Sequence, residues 1–220
     1  MLPASILKRL PLRFSYNDNY FNHKFQGIPK EGYTAIVSEI LRTKNVEVQL
    51  NCAAETVQEQ FDHIIYTGPI DRFYQRRFGQ LTYRTLDFER QVYDGDFQGT
   101  AVMNYCDEDV PFTRISEHQH FAPWSKTKSG KSVYFKEFSR DCGLDDTPFY
   151  PVRRLDDKSM LEKYVSLANS ESKVTFAGRL GTYAYLDMNV SIERALETAA
   201  ALNIAWERNE KAPVFVHNPL

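Results

Sequence analysis

The sequence predicts a mixed α/β (α+β) protein, with an α/β layer drawn from segments toward both ends of the chain and an antiparallel β-sheet drawn from its middle. Three observations carry that expectation. Residues 32–43 and the stretch from Ile192 to Ala200 repeat their apolar side chains with a helical period. Short apolar or alternating runs, the mark of strands, neighbour such helical stretches in the sequence. From about residue 80 to 140 the helical period gives way to extended segments punctuated by Asp94-Gly95-Asp96 and Ser129-Gly130, residues that suit tight turns.

The first helix follows from Tyr33, Ile36, Val37, Ile40 and Leu41, which fall on one face with Glu39 and Arg42 outside it. Residues 45–50 then alternate, Val46, Val48 and Leu50 against Asn45, Glu47 and Gln49, as a half-buried strand does. A short helix is expected over 55–61. It leads to a buried strand, His63-Ile64-Ile65-Tyr66, ended by Thr67-Gly68-Pro69. The extended segments of the middle are 81–93, 97–104, 112–120 and 132–138. A helix over 160–168 has Asp156 or Asp157 to cap it, and 173–177 is a short strand ended by Gly178-Arg179. The last helix carries Ile192, Ala195, Leu196, Ala199 and Ala200, with Asn189 or Ser191 as its cap and Glu193 in its first turn.

Residues 176–189, FAGRLGTYAYLDMN, therefore read as a strand, an irregular loop and a helix start. The loop crowds a guanidinium, two phenols and a carboxylate around a glycine pair. A helix start offers unpaired backbone N–H groups that bind a carbonyl or phosphate oxygen. The same pattern is also that of an ordinary strand-to-helix connection, and pattern alone leaves both open.

Composition narrows the classes. With 220 residues, 42% hydrophobic and 25% charged, the chain can bury a substantial core. A formal net charge of -2 gives no global attraction to nucleic acid, so an anionic ligand must be held by a local arginine cluster. Cys52, Cys106 and Cys142 include no CxxC pair and are read as free thiols of a reducing, cytoplasmic compartment. No apolar run approaches the roughly 18 residues of a membrane span. The 13 tyrosines and 15 phenylalanines form an unusually large aromatic share, and tyrosine suits sugar and phosphate pockets as well as cores.

Among candidate residues, Arg9 and Arg114 sit in apolar or extended surroundings and each needs an anionic partner, since a guanidinium stays charged. An acidic side chain or an anionic ligand would serve. Joined by Tyr20, Tyr150 and Tyr185, the two arginines would make a diphosphate clamp. His118 and His120 would share one face of a strand with Ser116, but no other histidine stands at ligand spacing, and no metal is expected. GxSxG, P-loop and HExxH patterns are absent, and Gly178-x-x-Gly181 is not the GxGxxG dinucleotide fingerprint.

Five blocks carry a resemblance: LPASILKRLPLRFSYNDNYFNHKFQGIPKEGYT, DHIIYTGPIDRFYQRRFGQLTYRTLDFE, FQGTAVMNYCDEDVPFTRISEHQHF, TPFYPV and FAGRLGTYAYLDMN. Together and in this order the chain resembles the UDP-galactopyranose mutases, from about Leu2 to about Ala199. The resemblance implies an isomerase using FAD in its reduced form to interconvert UDP-galactopyranose and UDP-galactofuranose, the precursor of galactofuranose in bacterial surface glycans. In that family the reduced flavin attacks the anomeric carbon, UDP leaves, and the sugar ring contracts with no net redox change.

Motif by motif, the resemblance implies that Arg9 and Arg114 bind the diphosphate and that Tyr20, Tyr150 and Tyr185 contact phosphate. It implies that Asn104 contacts substrate and that Asp187 supplies a carboxylate near sugar and flavin. Arg179 and the run Met188, Asn189, Val190, Ser191 and Ile192 fall where that family binds flavin. Leu186 departs from relatives that carry an aromatic there. The family's glycine-rich FAD motif, a flavin-adjacent histidine and a uracil-stacking helical segment would precede Met1, so the chain is expected to be a C-terminal portion, incomplete alone. The resemblance divides it into a site-bordering segment 1–30, FAD-domain parts 31–79 and 156–205, an antiparallel substrate domain 80–155 and a tail 206–220. A homodimer or an N-terminal FAD-binding half is the expected partner. The competing readings are a non-catalytic nucleotide-sugar binding or interaction protein derived from the same fold, and a diverged half of a flavin oxidoreductase.

Overall fold

In the computed structural model the described residues are 14–16, 23–56, 61–125 and 130–220. In chain order their helices and strands are α1 (Tyr33–Leu41), β1 (Ile64–Tyr66), α2 (Ile70–Phe73), β2 (Tyr83–Asp94), β3 (Val102–Asn104), β4 (Arg114–Glu117), β5 (Lys131–Asp141), β6 (Tyr150–Pro151), α3 (Asp157–Ala168), β7 (Val174–Phe176), α4 (Gly178–Gly181) and α5 (Met188–Glu207). They fall into two compact units, one of residues 52–85 and 140–220, the other of 86–139 with the described residues up to 51. The architecture is the mixed α/β one the sequence predicts, with a parallel strand pair and an antiparallel sheet.

In the first unit β1 and β7 run parallel, Ile64 beside Val174 and Tyr66 beside Phe176. All three residues of β7 are buried. The last residues of the chain return along its other side: the Phe176 amide donates to the Val214 carbonyl at 2.8 Å, and Phe215 stacks on Phe176. Helix α3 covers this layer because Leu161, Tyr164, Val165 and Ala168 lie on one face, and all four are buried beside Tyr66, Ile70, Leu81, Tyr83, Phe176 and Tyr183. Burying each of these large side chains contributes roughly 1.5–3 kcal/mol.

The polar atoms inside that core are paired. The Tyr164 hydroxyl donates to the Gly79 carbonyl at 2.7 Å and accepts the Phe78 amide at 3.0 Å. The Asp71 carboxylate accepts the Leu81 amide and the Tyr83 hydroxyl. Burial still raises the Asp71 pKa from its ordinary value, against the pull of those hydrogen bonds.

The second unit is built on antiparallel strands in the order β3-β4-β5-β2. Strands β2 and β5 continue along the chain into the first unit, where Tyr83 and Arg84 pair with Pro151 and Tyr150 of β6. Glu117, at the end of β4, is fully buried. Its carboxylate accepts the amides of Phe97 and Gln98, the Gln119 side-chain amide and the Ser132 hydroxyl. Desolvation pushes its pKa up, but the Ser132 hydroxyl and the two backbone amides pull harder, and the net shift is downward.

Several local expectations are corrected. Residues 45–50 form no strand, and Val46, Val48 and Leu50 stand exposed. Alternation makes a strand only where a neighbour takes up its backbone hydrogen bonds. The helix expected over 55–61 is a 3₁₀ turn at Ala54–Thr56, with 57–60 outside the described residues. Only Val102–Asn104 of the segment 97–104 is strand, because the Glu117 carboxylate and that of Asp96 capture the amides of Phe97, Gln98 and Gly99. Strand β4 stops at Glu117 and His118–His120 is a 3₁₀ turn, so the two imidazoles do not share a strand face. Helix α5 begins at Met188 rather than after Asn189 or Ser191, with Asp187 in extended backbone at its cap position.

Candidate functional site

The stretch 176–189 owes its path to two glycines. Gly178 takes φ 74°, left-handed backbone that lets the chain leave β7 sharply. Gly181 packs so closely that a Cβ there would lie 2.7 Å from the Tyr66 carbonyl oxygen. The one-turn α4 is thereby pressed onto the end of β1, and the Ala184 amide donates back to the Arg179 carbonyl at 2.9 Å. Beyond it Tyr183, Ala184 and Leu186 are buried and Tyr185 is 37% exposed.

Around this loop the first unit brings together three of the sequence-predicted residues. The rings of Tyr150 and Tyr185 meet with centroids 5.5 Å apart at 66°. The Arg179 guanidinium lies over the Tyr185 ring, 4.8 Å from its centroid. Its Nε and Nη2 donate to the Leu186 carbonyl and its Nη1 donates to the Phe149 carbonyl at 3.3 Å. Asp187, Met188 and Asn189 follow directly and are exposed, while Val190 and Ser191 are half-buried and Ile192 is exposed. No side chain caps the start of α5. Its first-turn amides suit a carbonyl oxygen such as those of an isoalloxazine ring, so the residues present fit a flavin.

In the second unit two further predicted residues are neighbours. Asn104 on β3 pairs in register with Arg114 on β4, which pairs in register with Glu137 on β5. Directly opposed residues project from the same face of a sheet, so amide, guanidinium and carboxylate form a row. Arg114 Nε is 3.4 Å from Glu137 Oε1; the arginine side chain is 47% exposed and the glutamate 13%. The arginine thus has an acidic partner and an open face. Glu137 had no signal in the sequence, since strand register was not legible there. Arg9 and Tyr20 lie outside the described residues.

Asp96, Glu117 and His120 also gather, their ligand-type atoms within 4.8 Å of one another. His120 Nε2 is 3.0 Å from Asp96 Oδ1 and 3.6 Å from Glu117 Oε2. Both Glu117 oxygens already accept hydrogen bonds from protein donors, which accounts for the trio as a network that pins the loop after β2. The three cysteines are free thiols, and no described helix is long and apolar enough to cross a membrane.

These features define a mixed α/β protein with phenol, guanidinium and carboxamide groups presented on loop and sheet. A sequence profile of the UDP-galactopyranose mutases matches residues 1–185, and the chain belongs to that family. It is 53% identical over 215 residues to a probable UDP-galactopyranose mutase of Klebsiella pneumoniae, an alignment covering 97% of this chain and 56% of the relative. A dTDP-fucopyranose mutase of Escherichia coli is 51% identical over 206 residues, covering 90% and 54%. A UDP-galactopyranose mutase of Mycoplasma pneumoniae is 27% identical over 218 residues, covering 91% and 54%. The chain spans about half the length of the curated relatives it matches.

Proposed function

We propose that this chain supplies the substrate-handling part of a flavin-dependent nucleotide-sugar mutase that interconverts UDP-galactopyranose and UDP-galactofuranose. The observation that carries the reading is the Tyr150–Tyr185 ring pair beside the uncapped start of α5, at positions where the family resemblance calls for phosphate and flavin contacts. In this reading Arg9 and Arg114 neutralise the diphosphate and stabilise it as a leaving group, since a guanidinium keeps its charge and donates paired hydrogen bonds. Tyr20, Tyr150 and Tyr185 donate hydroxyl hydrogen bonds to phosphate oxygens, Asn104 orients the sugar nucleotide, and Asp187 holds a negative charge near the sugar. Arg179 and the run Met188, Asn189, Val190, Ser191 and Ile192 hold FAD, whose reduced ring supplies the nucleophile at the anomeric carbon. The protein's own contribution is orientation and charge compensation.

The chain is proposed to act with further polypeptide. Ile65, Met188, Ile192 and Leu196 are exposed in the first unit, and among the described residues no strand pairs with the outer edge of β1. An apolar parallel strand with an open edge suits a neighbouring strand. An FAD-binding half on the N-terminal side, or a second copy, is the partner that reading calls for, in a cytoplasmic enzyme serving galactofuranose-containing cell-wall or lipopolysaccharide glycans.

A second reading has its own support. Identity to the dTDP-fucopyranose mutase is almost as high as to the probable UDP-galactopyranose mutase, so a deoxythymidine-linked sugar is the rival substrate. The test is to purify the chain, read its visible spectrum for bound flavin, and titrate UDP and dTDP by calorimetry. Flavin with UDP supports the first reading, and a clear preference for dTDP supports the second. UDP binding without flavin supports a non-catalytic nucleotide-sugar binder. Binding of neither nucleotide overturns the proposal.

A further inference from the structure

We propose that Arg179, read above as a flavin-binding residue, is also a positioning residue that fixes the Tyr150–Tyr185 pair and acts on the diphosphate through those two phenols; this rests on the reading of the phenols as phosphate contacts. Its guanidinium touches both tyrosine-bearing segments. Nε and Nη2 hold the carbonyl of Leu186, the residue after Tyr185, and Nη1 holds that of Phe149, the residue before Tyr150. The same planar group lies against the Tyr185 ring, which in turn meets the Tyr150 ring. One rigid fork therefore spans the segment that carries Tyr150 and the one that carries Tyr185, and sets the face that one ring presents to the other.

Both ends of this strap are anchored. Arg179 sits in α4, held by the close approach of Gly181 to the Tyr66 carbonyl and by the bond from the Ala184 amide. Tyr150 sits in β6 opposite Arg84, and the Phe149 amide donates to the Arg84 carbonyl at 2.9 Å. A guanidinium has five N–H donors, and three are used here, with a charge that does not titrate away. Lysine in its place offers a point charge on a flexible stem and cannot reproduce the planar fork. A side chain at the surface that serves only solubility does not engage two carbonyls from separate segments and an aromatic face together.

The experiment uses the full chain labelled with 3-fluorotyrosine, the ¹⁹F signals of Tyr150 and Tyr185 being identified from Tyr150→Phe and Tyr185→Phe. Arg179→Lys is expected to shift and broaden both signals while leaving the other tyrosine signals in place. UDP affinity, measured by calorimetry, is expected to fall about tenfold in Arg179→Lys, and less than about twofold when the substitution is made in the Tyr150→Phe/Tyr185→Phe background. Unchanged ¹⁹F signals overturn the proposal, as does the same loss in both backgrounds, which assigns Arg179 a direct contact with UDP. If the unsubstituted chain binds no UDP, the phosphate reading fails and the ¹⁹F signals alone decide whether Arg179 positions the pair. Should Arg179→Lys not fold, Arg179→Gln, which keeps two N–H donors, is read in the same way.

Discussion

Arg114 and Glu137 face each other across β4 and β5, with Nε 3.4 Å from Oε1, and Asn104 completes the row on β3. A pair in which the cation is about half exposed contributes under about 1 kcal/mol to folding, so Glu137→Gln should leave the urea-unfolding free energy within that margin. Arg114→Ala should do the same to stability. It should also weaken UDP binding by roughly 1.5–3 kcal/mol through loss of a charge-assisted contact. Calorimetric titration with UDP checks this, and an undiminished affinity removes Arg114 from the diphosphate site.

Tyr164→Phe tests the polar lining of the core. The hydroxyl it deletes serves both the Gly79 carbonyl and the Phe78 amide, and the ring is fully buried. Two partners without a replacement should cost about 1–3 kcal/mol in denaturant unfolding. A loss of only a few tenths would mean that water reaches both groups.

Gly181→Ala tests the close approach of α4 to β1. The new methyl would lie 2.7 Å from a backbone oxygen, which has no rotamer with which to move aside. The expected destabilisation is about 1–3 kcal/mol, read from thermal or chemical unfolding. An unchanged midpoint would show that α4 slides freely over the strand end.

Two buried carboxylates should make stability depend on pH with opposite signs. Glu117 has a lowered pKa in the folded chain, so the stability it contributes is present above the unfolded value, near about 4.3, and is lost as pH falls through the folded one. Glu117→Gln should therefore flatten the acid limb of a stability–pH curve. Asp71 has a raised pKa, so its contribution is largest below the unfolded value, near about 3.9, and declines as pH rises through the folded one. Asp71→Asn should remove that decline, and urea titrations from acid to neutral pH separate the two slopes.

Much of the frame was legible because local period and burial agree. Residues 160–168 read as a helix, and α3 spans Asp157–Ala168 with Leu161, Tyr164, Val165 and Ala168 buried. The run at residues 63–66 read as a buried strand, and Ile64–Tyr66 is β1, though only Tyr66 of it is buried and Ile65 is exposed. What stayed hidden depends on groups distant in sequence. Residues 45–50 alternate as a strand does but have no strand neighbour among the described residues. The carboxylate of Glu117 diverts Phe97 and Gln98 from extended pairing, and no pattern near Phe97 announces it. In the candidate site, the residue types came from family motifs. The placing of Arg114 between Asn104 and Glu137 is a matter of register, which the sequence of any one strand does not encode. The Arg179 contacts reach carbonyls 7 and 30 residues away, and they go to main-chain atoms, which a pattern of side-chain types does not mark.

Helix α1 has nine residues, none of them buried, and no side chain capping its start. An isolated helix that short is marginal in water. Its amides should therefore exchange with deuterium well ahead of those of α3. That difference makes α1 a built-in reporter: uptake across Tyr33–Leu41 should slow once another surface covers Ile36, Val37 and Ile40, so mass spectrometry of the peptide would register assembly without any measurement of turnover.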